Sequence, residues 1–392
     1  MTKLNNLIFN LLLFLHPLEL LKKFIKIFVV SREIFLGRIS YYPNSVKNFE
    51  AEFANYIGRN FGLSFSNGTS SIEAALFALD IKAGDEVIVP SCTFHASIGP
   101  IINCGAVPIF VDVEKDSLCP GIEEIASKKT DKTKCILLVH PFGLLANMQQ
   151  ICDFADLNNL KLIEDVSHAH GAKIGKKMAG SFADISCFSL QGAKAIAAGE
   201  GGVAVTDSPL LFARMSMYGH FDRHKEKFTK ADIKYIDTGV GHKMRAHPLG
   251  IALARVDLMF NDFYNRRMSK NNIYIKDILS KFNFVSTFKE TVNSQSGGFF
   301  GGLPFIIDPK YIDIEDVVKI FQSNALNVTR YPWPMHHKLA LFSEDKLSNL
   351  TNTEFLRDNM FLLDRRLLFF FPLFKKRNLR RTLRMLNELS KP

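Results

Sequence analysis

No pair among the six cysteines (Cys92, Cys104, Cys119, Cys135, Cys152 and Cys187) stands at C-x-x-C spacing, so the zinc-ribbon and dithiol redox patterns are absent. A chain of 392 residues buries an ample core without disulfide staples. Buried free thiols in a reducing cytosol are therefore expected. No Walker motif occurs, and "TGVGHKMR" is too poor in glycine for a nucleotide fingerprint. The basic tail "FKKRNLRRTLRML" has no interleaved aromatics, which excludes a nucleic-acid stacking platform. No metal site is expected. His220 and His224 in "HFDRH" are four apart, but the glutamate of the helical zinc-protease motif is missing, and the segment is read as a cover over a site.

Long apolar runs are also lacking. The N-terminal stretch "LIFNLLLFLHPLELLKKFIKIFVV" is broken by Pro17, Glu19, Lys22, Lys23 and Lys26, too early for a spanning helix of about 20 residues. No small-residue cleavage site follows, so a signal peptide is not expected. What remains is an ordinary globular composition, 47% hydrophobic and 22% charged, long enough for two domains. The net charge of +10 favours anionic partners, although much of it sits in the tail, where Lys375, Lys376, Arg377, Arg380, Arg381 and Arg384 have no acid among them.

From about residue 45 the pattern turns regular. "SVKNFEAEFANYIG" carries apolar residues at helical spacing and stops at Gly58. "DEVIVP", "VPIFVDV", "KCILLVHPFG" and "LKLIEDVSHAHG" are short, continuously apolar strands separated by helical stretches. Such alternation predicts an α/β fold with a parallel sheet covered on both faces. The reading divides the chain into an apolar extension (1–44), a large domain (45–245) and a smaller α/β C-terminal domain (246–392). The helix beginning at "HPLGIALARV" is the bridge between the last two.

In such sheets ligands bind beyond the carboxyl ends of the strands, and polar residues gather there. Phe94 follows "VIVPSCT", Asp165 and His168 follow "LKLIE", Ser189 ends "ISCFS", and Lys194 comes next in "CFSLQGAK". A lysine partly desolvated in a cleft suits Schiff-base chemistry with a carbonyl. Asp165 suits a pyridine nitrogen, because a carboxylate stabilises its protonated form, and a protonated pyridoxal ring is an electron sink. "NGTSS" opens a helix, so Gly68, Thr69 and Ser70 would present amides and hydroxyls to a phosphate. Ser189 adds a hydroxyl, and Phe94 is placed to cover one ring face.

These same blocks carry a resemblance. "SNGTSSIEAALFAL", "GDEVIVPSCTFHAS", "GAVPIFVDV", "LIEDVSHAHGA", "CFSLQGAK" and "GEGGVAVTD" resemble, in order, the signatures of the DegT/StrS family of sugar aminotransferases. The likeness runs from about residue 45 to 270 and weakly to "YPWPMHHKLALF". It implies the fold-type-I architecture of pyridoxal-phosphate enzymes, with a mainly parallel seven-stranded sheet between helices. It further implies that Lys194 bonds the cofactor, that Asp165 pairs with the ring nitrogen and that Phe94 stacks on the ring. Thr69, Ser70 and Ser189 would hold the phosphate.

Two positions depart from the commonest pattern. His168 stands where glutamine is usual, near the ring hydroxyl, and can still hydrogen-bond there. Lys243 stands where an asparagine usually reaches the partner subunit's phosphate, and would supply a point charge instead. Some relatives replace the Schiff-base lysine with histidine and become dehydratases, so Lys194 favours transamination. His336 and His337 are weighed evenly between substrate contact and plain surface. The expected protein is a cytoplasmic homodimer with shared active sites, moving an amino group from an amino acid, with glutamate the expected donor, to a ketosugar on a nucleotide. A cyclitol or other carbocyclic ketone is the alternative acceptor. A non-catalytic scaffold bound to a membrane or partner is the alternative of another class, and loss of Lys194 or Asp165 would have favoured it. Both chain ends are expected to form amphipathic helices packed on the protein, in preference to an anionic membrane surface.

Overall fold

The structure, a computed structural model, describes residues 17–40, 42–220, 240–324, 326–342, 349–369 and 373–389. In chain order, α1 (Pro17–Phe35) and α2 (Asn44–Ile57) lead into β1 (Phe61–Phe65), α3 (Gly68–Ala78) and β2 (Glu86–Pro90). Next come α4 (Gly99–Asn103), β3 (Val107–Val111), α5 (Ile122–Lys128), β4 (Thr133–Val139), α6 (Met148–Leu157) and β5 (Lys161–Asp165). A short ribbon, β6 (Lys173–Ile174) and β7 (Lys177–Met178), precedes β8 (Ile185–Ser189), β9 (Gly202–Thr206) and α7 (Pro209–Gly219). The 32-residue α8 (Pro248–Leu279) then carries the chain into a second set of elements. These are β10 (Val285–Thr287), β11 (Ser294–Gln295), β12 (Gly302–Ile307), α9 (Ile314–Ser323), β13 (Val328–Arg330), α10 (Thr351–Asn359), β14 (Met360–Asp364), α11 (Arg365–Phe369) and α12 (Leu373–Leu389).

The main sheet has seven strands in the order β1-β9-β8-β5-β4-β2-β3. The run from β8 through β5, β4 and β2 to β3 is parallel, and β9 lies antiparallel between β1 and β8. Continuous apolar strands make this possible: every residue of β2 is buried, as a sheet covered on both faces requires. Gly58 ends α2 at φ 84°, the left-handed cap that glycine adopts without penalty. The second domain has a four-stranded antiparallel sheet, β10-β12-β14-β13.

Helix α8 belongs to both domains. Ile251 and Ala254 pack in a core with Phe49, Phe53 and Phe188 of the large domain, while Met268, Ile275 and Leu279 pack in the small-domain core with Phe305 and Phe361. The border between domains thus runs through this helix. Helix α1 packs against its first half, where Lys22 and Lys26 each place Nζ 2.7 Å from Asp257 Oδ1. Tyr264 donates its hydroxyl to Glu19, and Ser45 donates to the buried Glu33 at 2.9 Å.

The end of β5 organises the sheet. Successive strand residues face opposite sides, so Glu164 and Asp165 diverge. Glu164 is fully buried and accepts hydrogen bonds from the amides of Gly180, Phe182 and Ala183 at 2.9–3.0 Å. Ser186 Oγ donates at 3.1 Å, and His140 Nε2 lies at 3.1 Å from its Oε2. Burial alone would raise this carboxyl's pKa, but His140 and the amide donors outweigh it and hold the pKa below the usual glutamate value. One side chain therefore ties residues 180–183, the approach to β8, to the middle of the sheet. Its stabilisation is present above the ordinary glutamate pKa and lost as pH falls through the depressed one. Glu164→Gln should cost about 2–4 kcal/mol of stability in urea unfolding at neutral pH, with the gap to wild type narrowing in acid.

Candidate active site

At the carboxyl ends of β5 and β8 the structure opens a cavity of about 420 Å³. Gly68, Thr69, Phe94, Asp165, His168, Ser189 and Lys194, all singled out from sequence, line it. Ser70 does not. Its amide donates to the Asn67 cap at 2.7 Å and its hydroxyl lies 3.2 Å from Ser66 Oγ, on the buried side of α3. Lys243 is exposed and lies outside the cavity.

His336 also lies outside it. Its Nδ1 sits 3.1 Å from Ser91 O, and His337 Nδ1 sits 2.8 Å from Ser91 Oγ. Both imidazoles are buried, so neither is the surface residue that was the alternative reading; they brace the end of β2 instead. His220 is buried edge-on to Phe65, and His224 lies outside the described residues.

Each lining group is held from behind. Asp165 Oδ2 accepts from Ser97 Oγ at 2.7 Å and Oδ1 from the Ser167 amide at 3.0 Å. Ser97 Oγ lies 2.9 Å from Thr93 Oγ1 in turn. The carboxylate is thus oriented at a 5% exposed position, and among the described residues no cation is bonded to it. At the opposite wall Gly68 comes so close to Ser189 that an added Cβ would sit 3.0 Å from Ser189 Cβ. The bare backbone here brings the N-terminus of the 11-residue α3 against a strand-end hydroxyl, a ready anion cradle.

Lys194 lies between these poles. Its Nζ stands 3.6 Å from the Phe300 ring centroid. Burial pulls its pKa down to about 8, with Asp165 opposing and Arg365 reinforcing the shift. Arg365 Nη1 donates to Ala193 O at 3.0 Å, and Asp257 Oδ2 accepts from the Ala197 amide at 3.1 Å. The lysine's loop is therefore clamped by α11 on one side and α8 on the other.

His168 is walled by aromatics: Phe300 at 4.3 Å, Trp333 at 5.2 Å and Phe142 at 5.6 Å between ring centroids. Burial, then the Lys194 and His170 charges, push its pKa well below the imidazole range. The ring is neutral, and its Nδ1 accepts the Phe142 amide at 3.4 Å, which leaves the proton on Nε2.

Sequence reasoning missed Ser97, Phe300, Trp333, Arg365 and Asp257. Two carried a signal: the lone tryptophan set between prolines in "YPWPMHH", and a Phe pair between glycine pairs in "SGGFFGG". An added Cβ on Gly298 would sit 2.6 Å from His170 N and 2.7 Å from His168 O. Only glycine lets this turn segment lie backbone to backbone on residues 168–170 and deliver Phe300.

A carboxylate held at one end, an anion cradle at the other, a depressed lysine between them and aromatic walls together fit pyridoxal phosphate. A family model described as the DegT/DnrJ/EryC1/StrS aminotransferase family matches residues 35–366. A GDP-perosamine synthase of Escherichia coli O157:H7 is 37% identical over 243 residues, 62% of this chain and 65% of that protein. An L-glutamine:2-deoxy-scyllo-inosose aminotransferase of Streptomyces kanamyceticus is 37% identical over 43% of this chain and 40% of its own. The chain thus spans less than two thirds of the length of these curated relatives. An aminotransferase structure from Psychrobacter cryohalolentis superposes with a TM-score of 0.81 at 25% identity, covering 93% of this chain and 96% of that one.

The lowered pKa makes a direct prediction. In cofactor-free protein, competitive labelling of amines across pH, read by peptide mapping, should give Lys194 a midpoint near 8, against about 10.4 for exposed lysines. A midpoint in the ordinary range would show that the amine is hydrated.

Proposed function

The chain belongs to the DegT/DnrJ/EryC1/StrS aminotransferase family, and on that premise we propose that it moves an amino group from an amino acid, glutamate in our reading, to a keto group on a nucleotide-linked sugar. Pyridoxal phosphate is the cofactor. The observation that carries the reading is the single cavity that unites Lys194, Asp165 and the start of α3. The GDP-perosamine synthase relative supports the nucleotide-sugar class. The cyclitol aminotransferase relative supports a carbocyclic ketone as the second reading.

When bound, the cofactor supplies the electron sink for the carbanion left as the donor's α-proton departs. The protein supplies the rest. Lys194 Nζ takes that proton, and a pKa of about 8 suits a base working near neutrality. Asp165, oriented by Ser97 and Ser167, would hold the ring N–H. Gly68, Thr69 and Ser189 would hold the phosphate, Phe94 would cover the ring, and His168 Nε2 would be free to donate to the ring hydroxyl. The aromatic wall of Phe300 and Trp333 excludes water, which strengthens each of these charges.

We place the sites in a homodimer, with exposed Lys243 reaching the other subunit's phosphate. The setting is cytoplasmic: the six thiols are free, four of them buried, which supports a reducing compartment. Among the described residues no helix is long and apolar enough to cross a membrane.

Glutamate with a panel of nucleotide ketosugars and cyclitol ketones should give turnover on one nucleotide-linked acceptor; turnover on cyclitols alone would select the second reading. Borohydride reduction should fix the cofactor to the Lys194 peptide, and a tag on another lysine would remove the assignment. Asp165→Asn should keep the fold and lower kcat by about 10²-fold or more. Mixed dimers of Lys194→Ala with Lys243→Ala subunits should regain activity, because one hybrid site carries neither lesion. No regain from demonstrably mixed dimers would confine Lys243 to its own subunit.

A further inference from the structure

Helix α1 is mounted inside out. At about 100° per residue, Glu19, Lys22, Lys26 and Glu33 fall on one side, and that side faces the protein through Tyr264, Asp257 and Ser45. The opposite arc, about 140° wide on the same geometry, carries Leu21, Phe24, Ile27, Phe28, Ile34 and Phe35, with Ser31 the one polar residue among them. All six are exposed, from 51% at Leu21 to 90% at Phe35. A surface helix ordinarily does the reverse, and a contiguous apolar stripe of this kind marks a contact.

We propose that α1 docks the protein on an anionic membrane surface, lying in the plane of the headgroups. Three observations favour lipid over a second copy of the chain. Lys23 and Arg32 are exposed and fall at the two borders of the apolar arc, the arrangement of an interfacial helix. The sequence just before α1, residues 7–15 (LIFNLLLFL), is apolar too, yet far short of a spanning length.

The third observation is charge. Lys376, Arg377, Arg380, Arg381 and Arg384 line one groove on α12, whose leucines 379, 383 and 386 are spent in the small-domain core. This groove neighbours α1 along α8. Tyr264 meets Glu19 and stacks on Phe369 of α11, and Lys376 lies over Tyr274, about 15 Å further along the helix. Acidic headgroups would attract both features.

The test is sedimentation of the full-length protein with vesicles of phosphatidylglycerol and phosphatidylethanolamine, and with phosphatidylcholine alone. Binding to the acidic vesicles that weakens with salt is expected. Phe24→Asp with Phe28→Asp, both at exposed positions, should lower it at least about tenfold while the melting temperature holds. Arg380→Gln with Arg381→Gln should weaken binding by a smaller factor and flatten its salt dependence. No sedimentation with acidic vesicles would overturn the proposal. So would a Phe24→Asp/Phe28→Asp protein that binds vesicles normally but falls apart from dimer to monomer in analytical ultracentrifugation, since the face would then belong to a second copy.

Discussion

The Glu164 carboxylate, sealed in the sheet with three backbone amides, a serine and a histidine around it, is the constraint on which the site rests. It fixes where β5 ends and how the chain re-enters at β8. Because neighbouring strand residues face opposite ways, fixing Glu164 also fixes the direction of Asp165. The carboxylate that faces the cavity is thereby aimed by the carboxylate that does not. Ser97 and Ser167 only complete its orientation.

The second domain closes what the first begins. Trp333 lies parallel to Phe142 at 5.3 Å, and Phe300 reaches His168 and Lys194 from a turn segment laid on residues 168–170. These rings dry the cavity, and desolvation is the first cause of the low pKa of Lys194 and of His168. A lysine with its pKa lowered to about 8 beside an imidazole held well below its usual range follows from that dryness; neither is encoded by the residues' own identities. Asp257 and Arg365 couple the same loop to α8 and α11. Through Asp257, α1 is linked to the backbone near Lys194 although all of it but Phe35 precedes the family-matched residues.

The α/β class, the mainly parallel sheet and the residues at the strand ends were legible from sequence alone. Buried parallel strands must be continuously apolar, and a polar residue that interrupts such a run at its carboxyl end has few other places to be. Gly68, Thr69, Phe94, Asp165, His168, Ser189 and Lys194 could be placed by that logic together with the resemblance. The reading faltered where position depends on packing. Ser70 turns to Ser66, and His336 and His337 are captured by Ser91, choices that no spacing announces.

What the sequence by itself determined is therefore the local chemistry. It specified a lysine after a buried strand, a carboxylate on a neighbouring strand and a small-residue turn opening a helix, each a pattern within a few residues. Tertiary structure alone decided which distant groups act on them. Phe300 and Trp333 lie more than 100 positions from Lys194 along the chain, and Arg365 is farther still. The same holds for α1. Its amphipathic pattern was visible, but only its partners in the fold, Asp257 and Tyr264 on α8 and Ser45 on α2, determine that the apolar side is the one left facing out. Buried charge must be paired, and that pairing outranks the burial of exposed phenylalanines.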